Sequence, residues 1–260
     1  MRQRADAALP PSSPVSVGEA RAERAPAIQL QGVSKRYGSL LAVDAVDLEL
    51  QAGQALGLIG PNGAGKSSLI ELMSGLAAAN GGRVSVAGGD PTQPTVRRKI
   101  GFAPQALAVY GDLSVAENLS FFARLYGLRG AALTSAVQGA LGLVQLSAQA
   151  NRRANVLSGG MQRRLNLACA VVHRPQVVLL DEPSVGIDAE CRAQVLAGLR
   201  ELKRTGVTLV WSTHRLEEVE ALCDRVAVLD GGKLVAFGGV AEVKASRDGG
   251  QAACAGDLAS

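Results

Sequence analysis

The segment from Gln54 to Leu76 constrains this chain more than any other. Gln54 to Ile59 is a short apolar run that leads directly into Gly60-Pro61-Asn62-Gly63-Ala64-Gly65-Lys66-Ser67. Beyond it, Leu69, Leu72, Met73 and Leu76 recur at i, i+3, i+4 and i+7, which is one face of an amphipathic helix. A strand, a glycine-rich loop and a helix in that order point to an α/β fold. The eight residues match G-x-x-x-x-G-K-[ST] at every fixed position. Glycines let successive backbone N–H groups converge on phosphate oxygens, and the helix after the loop adds its positive end. Lys66 is suited to reach the β- and γ-phosphates, and the Ser67 hydroxyl is suited to ligate Mg²⁺. Gly60 to Ser68 are therefore the candidate nucleotide-binding loop.

A second chemical feature closes another buried strand. Val177 to Leu180 is a continuous apolar run, as expected of a parallel strand covered on both faces, and Asp181-Glu182 ends it. Open α/β sheets place ligands at the carboxyl ends of their strands. Asp181 is suited there to hold Mg²⁺, and Glu182 to orient and deprotonate an attacking water. Val207 to Trp211 reads as a further buried strand, which puts His214 on the same side of the sheet.

The rest of the chain is legible in outline. Ser114 and Glu117 form a capping box that opens a helix ending near Gly127. Leu133 to Asn155 reads as helical, Ser158-Gly159-Gly160 opens a helix that stops before Pro175, and Ala189 to Arg204 is another. Arg225 to Leu229 and Leu234 to Phe237, joined by Asp230-Gly231-Gly232, read as a hairpin. Residues 1–26 and 247–260 lack periodicity and read as disordered tails.

Composition removes several function classes. With 260 residues and 47% of them apolar, the chain has enough mass for a full core. No stretch approaches the roughly 18–20 uninterrupted apolar residues of a membrane span. A net charge of +4, spread over pairs and triplets, argues against a nucleic-acid surface. Four cysteines without CxxC spacing, beside only two histidines, argue against a cysteine metal site. A guanine-nucleotide switch would need an N-K-x-D-like base reader, and the sequence has none.

Taken together, Lys66, Asp181-Glu182 and Leu157-Ser158-Gly159-Gly160-Met161-Gln162 resemble the nucleotide-binding subunit of an ATP-binding-cassette (ABC) transporter. The likeness runs from about Ile28 to Ser246, with the motifs in family order. It implies a P-loop (RecA-like) core with a mostly parallel sheet, an antiparallel β subdomain, and a helical subdomain inserted at about 106–157. The resemblance also assigns roles. Ser158, Gly159 and Gly160 would contact the γ-phosphate of ATP held by a second copy, and Asp188 would face that copy's site while also capping its own helix. Tyr37 would stack on adenine, Gln105 would approach Mg²⁺ and the attacking water, and His214 would hydrogen-bond the γ-phosphate. His173, near a helix end, reads as structural.

Met161 stands where the commonest form of the signature has Gln. That run, with Glu182 to Asp188 and Glu117-Asn118-Leu119 to Leu128, resembles the drug- and polymer-exporting branch. The resemblance therefore implies an ATPase that powers export from the cytoplasmic face of the inner membrane. Its partners would be separate membrane-spanning subunits and a second cassette, with no contact to the cargo. An importer, or a non-transport member of the superfamily, is the alternative. Four aromatics, Tyr110, Phe121, Phe122 and Tyr126, fall in the inserted subdomain, and one or two of them are expected to be exposed as anchors for the membrane subunit.

Overall fold

The computed structural model describes residues 25–245. The tails expected at 1–26 and 247–260 lie outside these residues, apart from Ala25 and Pro26. Two sheets organise the chain. Strands β1 (Ile28–Tyr37), β2 (Leu40–Leu50) and β4 (Gly81–Val86) form an antiparallel three-stranded sheet in the order β2-β1-β4. The larger sheet holds β3 (Ala55–Ile59), β5 (Ile100–Ala103), β6 (Val177–Asp181), β7 (Thr208–Ser212), β8 (Arg225–Asp230) and β9 (Lys233–Gly239). Its order is β5-β6-β7-β3-β8-β9, with the first four pairings parallel and β8–β9 an antiparallel hairpin. This is the mostly parallel α/β core, with an antiparallel companion sheet, that the sequence led us to expect.

Strands β3, β6 and β7 are buried along their whole length, which explains their unbroken apolar composition. They lie side by side, so the loop after β3 and the carboxylates after β6 flank the end of β7. Helices α1 (Lys66–Ser74), α5 (Gly159–Val171), α6 (Ala189–Arg204) and α7 (Leu216–Leu222), with the short α2 (Pro94–Arg97), complete the fold around the two sheets. One apolar cluster joins Leu56, Leu58 and α1 to the antiparallel sheet, and a second joins Leu180, Leu209 and Trp211 to α5.

Between β5 and α5 lie α3 (Val115–Leu125) and α4 (Gly130–Leu143), which pack on each other and on α5. The capping box is present: Glu117 N–H donates to Ser114 Oγ and Ser114 N–H to Glu117 Oε2. Buried Asn118 fixes the preceding loop, accepting from Tyr110 N–H and donating to the carbonyls of Tyr110, Leu113 and Ser114. The helix expected over Leu133–Asn155 is a correction. It ends at Leu143, because Gln145 turns left-handed at φ 55° and the Leu146 N–H bonds back to Leu141. Two short 3₁₀ turns, Ser147–Gln149 and Ala154–Val156, replace its second half.

Candidate functional site

The loop from Gly60 to Ser67 has the backbone that its glycines predict. Gly60, Gly63 and Gly65 hold φ of 155°, 80° and 99°, the left-handed region where side chains are strained. A Cβ on Gly60 would collide with the Leu229 carbonyl and one on Gly65 with that of Ala42, so both positions exclude larger residues. Lys66 is buried, and its Nζ donates to the carbonyls of Gly60 (2.9 Å) and Pro61 (3.0 Å), closing the loop on itself. Helix α1 starts with Gly65 as N-cap, no side-chain capping bond and no acidic residue in its first turn. Its positive end and first N–H groups are thus uncompensated by the protein's own side chains, as an anion site requires.

Opposite this loop, one hydroxyl organises two carboxylates. In the β6–β7 register Asp181 pairs with Ser212. Ser212 Oγ donates to Asp181 Oδ1 at 2.7 Å and accepts the Glu182 N–H at 2.9 Å. Ser212 and Asp181 are buried, whereas Glu182 is half-buried and has φ 47°, an uncommon conformation for a non-glycine. Gln105 Nε2 approaches Glu182 Oε2 at 3.4 Å. The loop carrying Gln105 is tied to α5: Arg163 donates to the Gln105 carbonyl, while Asn166 accepts from Ala108 N–H and donates to the Pro104 carbonyl. The sequence carries no signal for the supporting roles of Ser212, Arg163 and Asn166. Only the strand register and the packing of α5 reveal them.

Ser67, Asp181 and Gln105 would together offer an all-oxygen donor set of hydroxyl, carboxylate and amide. Such a set fits a hard divalent cation like Mg²⁺, which keeps several waters and shares phosphate oxygens. One Asp181 oxygen is already engaged by Ser212, so the carboxylate's orientation is fixed before any cation arrives.

The remaining predicted residues lie on several elements. Tyr37 ends β1 and is 42% exposed, and its hydroxyl donates to Glu71 Oε2 on α1 at 2.9 Å. Partial burial, and after it the Glu71 carboxylate, raises the phenol's pKa. Lys35 Nζ sits 4.9 Å from the ring centroid. His214 is exposed after β7 and lines a cleft of about 300 Å³ with Gly60 and Pro61.

Ser158, Gly159, Gly160 and Asp188 form a second group. Ser158 caps α5 by accepting the Met161 N–H, and Asp188 caps α6 by accepting the Cys191 N–H at 2.7 Å. A Cβ on Gly160 would run into the Cys191 thiol, so the starts of α5 and α6 are in close contact. Ser158, Gly159 and Asp188 are all exposed. His173 is half-buried, stacks on Tyr126 at 3.5 Å and bonds the Ile100 carbonyl at 3.2 Å, in keeping with a structural role.

Comparison with known proteins adds the family. The sequence profile of the ABC transporter family matches residues 43–185. The linearmycin resistance ATP-binding protein LnrL of Bacillus subtilis (strain 168) is 38% identical over 213 residues, covering 81% of this chain and 68% of its own. A Nod factor export ATP-binding protein I of Cupriavidus pinatubonensis is also 38% identical over 213 residues, covering 81% and 66%. Among solved structures, an ATP-binding subunit of an ABC transporter superposes with a TM-score of 0.77 at 27% identity, covering 85% of this chain and 93% of the other. A nucleotide loop facing two oriented carboxylates, on a chain with these relatives, leads to one conclusion. The chain belongs to the ATP-binding subunits of the ABC transporter family and is an ATPase.

Proposed function

We propose that this chain hydrolyses ATP in pairs to drive export through separate membrane-spanning subunits. It spans about two thirds of the length of the two relatives named above, whose names speak of resistance and of export. The observation that carries the reading is the Ser212 clamp, which holds Asp181 and Glu182 at the end of β6, two strands from β3 in the sheet order. Neither relative favours import. A non-transport role is not favoured either, since the longest described helix, α6, has 16 residues and cannot form a long coiled-coil arm.

In this reading the catalytic unit is residues 27–246, with the helical insert at about 106–157. Phosphates of ATP lie on the N–H groups of Gly60 to Ser68, with Lys66 turning from the Gly60 and Pro61 carbonyls to the β- and γ-phosphates. Tyr37 offers its exposed ring to adenine. Mg²⁺, when bound by Ser67, Asp181 and Gln105, would neutralise phosphate charge. Glu182 accepts a proton from water and Gln105 holds that water beside it. His214 donates to the γ-phosphate from the cleft by Gly60. Ser158, Gly159 and Gly160, at the start of α5, close over the nucleotide of the second copy, with Asp188 beside them.

Tyr110 and Phe121 are exposed, and Phe122 is half-buried behind them. Tyr110 and Phe121 meet edge-to-face at 4.9 Å, a rigid aromatic surface suited to a helix of the membrane subunit. Among the described residues no helix is long and apolar enough to cross a membrane, so docking there would hold the ATPase at the inner face.

The test is Glu182→Gln. The variant should bind ATP with unchanged affinity, lose turnover about a thousandfold and elute with ATP as a stable dimer. Turnover at the normal rate, or a monomer under saturating ATP, would refute the assignment.

A further inference from the structure

Three polar side chains near this site have no task in the mechanism above. Glu218, on α7, is only 3% exposed, a rare position for a carboxylate. Its Oε2 accepts a 2.6 Å hydrogen bond from the hydroxyl of Thr213, itself buried. Its Oε1 makes no hydrogen bond and faces Arg192 Nε of α6 at 3.5 Å. Arg192 Nη2 in turn lies 3.4 Å from the Ile187 carbonyl. Contacts therefore run without a gap from Ile187, beside Asp188, to Thr213, beside His214.

Both ends of this line are firmly seated. The Thr213 N–H donates to the Leu58 carbonyl of β3 at 3.1 Å, and its hydroxyl also accepts the Arg215 N–H at 3.1 Å. One hydroxyl thus shapes the turn on which His214 stands. At the other end Arg192 lies in the first turn of α6, whose N-cap is Asp188. The middle is the sensitive part. A buried carboxylate oxygen without a hydrogen bond depends on its neighbouring cation, so a shift of Arg192 must carry Glu218 with it or leave a charge unpaired.

We propose that Arg192, Glu218 and Thr213 form a positioning strut that couples the Asp188 loop to the His214 turn. Closure of the second copy on Asp188 then sets His214 for the γ-phosphate, and an unpaired subunit holds His214 out of register. The strut rests on the ATPase reading above and adds to it a means by which pairing prepares hydrolysis. Energetic coupling of this kind is carried by packed polar chains with more than one arrangement.

Thr213→Val keeps the shape of the side chain and removes the hydroxyl. In the full chain it should lower kcat for ATP about tenfold while KM stays within about twofold, and Thr213→Ser should restore most of the loss. Arg192→Gln, altered at the partly exposed end where the core is not opened, should lower kcat severalfold. The double variant Arg192→Gln/Glu218→Gln should be no slower than the slower single variant, as members of one unit are not additive. Turnover in Arg192→Gln equal to that of the unaltered chain would overturn the strut, whatever the folding of the Thr213 variant. So would a Thr213→Ser chain no faster than Thr213→Val, or a double variant whose losses multiply. Glu182→Gln in the same assay separates the two claims. If it abolishes hydrolysis, the assigned base stands and only the strut is at issue, whereas hydrolysis that survives it overturns both.

Discussion

Ser212 shows how much can hang on one oxygen. Its hydroxyl bonds the carboxylate of Asp181 and the backbone of Glu182 at once, so the two acids share a single support. Removing it frees Asp181 to rotate and leaves the left-handed backbone of Glu182 without its anchor. Ser212→Ala should therefore slow turnover about ten- to a hundredfold with little change in ATP affinity, measured by steady-state kinetics beside equilibrium nucleotide binding. A variant that lost affinity and kept kcat would contradict this account. Residues of this kind are hard to find in a sequence. Gly60 to Ser67 announce themselves because glycines, a lysine and a serine stand in a fixed order. A serine at the end of an apolar run is ordinary until the strand beside it is known to end in Asp181. Arg163, Arg192 and Glu218 escape notice for the same reason, since each acts through a contact far away in sequence.

Among the elements, the buried strands and capped helices were legible and the others less so. β6 and β7 are almost wholly apolar runs, and α3 and α6 carry capping residues that mark their starts. β1 and β2 are long edge-to-edge partners whose register slips three times, between Leu30 and Arg36, and Ala45 in β2 turns to φ 46°. Such irregularity breaks the period-two alternation by which a half-buried strand is read. The second half of the Leu133–Asn155 segment departs from helix for a different reason. Its alanines and glutamines favour helix, but the left-handed Gln145 ends α4, and tertiary packing holds Ser147–Gln149 and Ala154–Val156 in 3₁₀ turns. The aromatic cluster beside α3 belongs to this scale too. Tyr110→Ser and Phe121→Ser should each weaken association with the membrane subunit about tenfold in a pull-down from membranes. ATP affinity should not change, and equal capture of the variants would show that the membrane partner binds elsewhere.

For the whole molecule, the proposed pairing makes each site from two groups of residues on different copies, so that neither copy would be complete alone. On that reading a Lys66→Ala chain lacks the phosphate loop's cation, and a Gly159→Arg chain, altered where nothing lies within 4 Å of an added Cβ, lacks the surface that covers its partner's nucleotide. Each should be nearly inactive by itself. Mixed in equal amounts they should recover about a quarter of the normal rate, because half the dimers are mixed and each of those retains one whole site. No recovery on mixing would mean that each site is built within a single chain. Acid stability is a second property of the whole. His173 joins β5 to the helical insert through the Ile100 carbonyl and Tyr126, and burial pushes its pKa down to about 4. A base with a depressed pKa leaves stability intact above its unfolded value of about 6.5 and erodes it as pH falls from there towards 4. The loss should reach about 3 kcal/mol, read from denaturant unfolding at pH 7 and pH 4, and His173→Leu should flatten that part of the profile. An unchanged slope in the variant would assign acid sensitivity to other groups.

The bare N-terminus of α1 has a consequence for anyone who wishes to make this protein sturdier. The usual remedy for an uncapped helix is an aspartate or glutamate in its first turn, which steadies the N–H groups and the dipole. Here the proposed function seats a triphosphate on those groups, so the remedy would install a tethered competitor for it. Capping α1 with an acid would thus trade against nucleotide binding, and heat tolerance must be sought elsewhere in the fold.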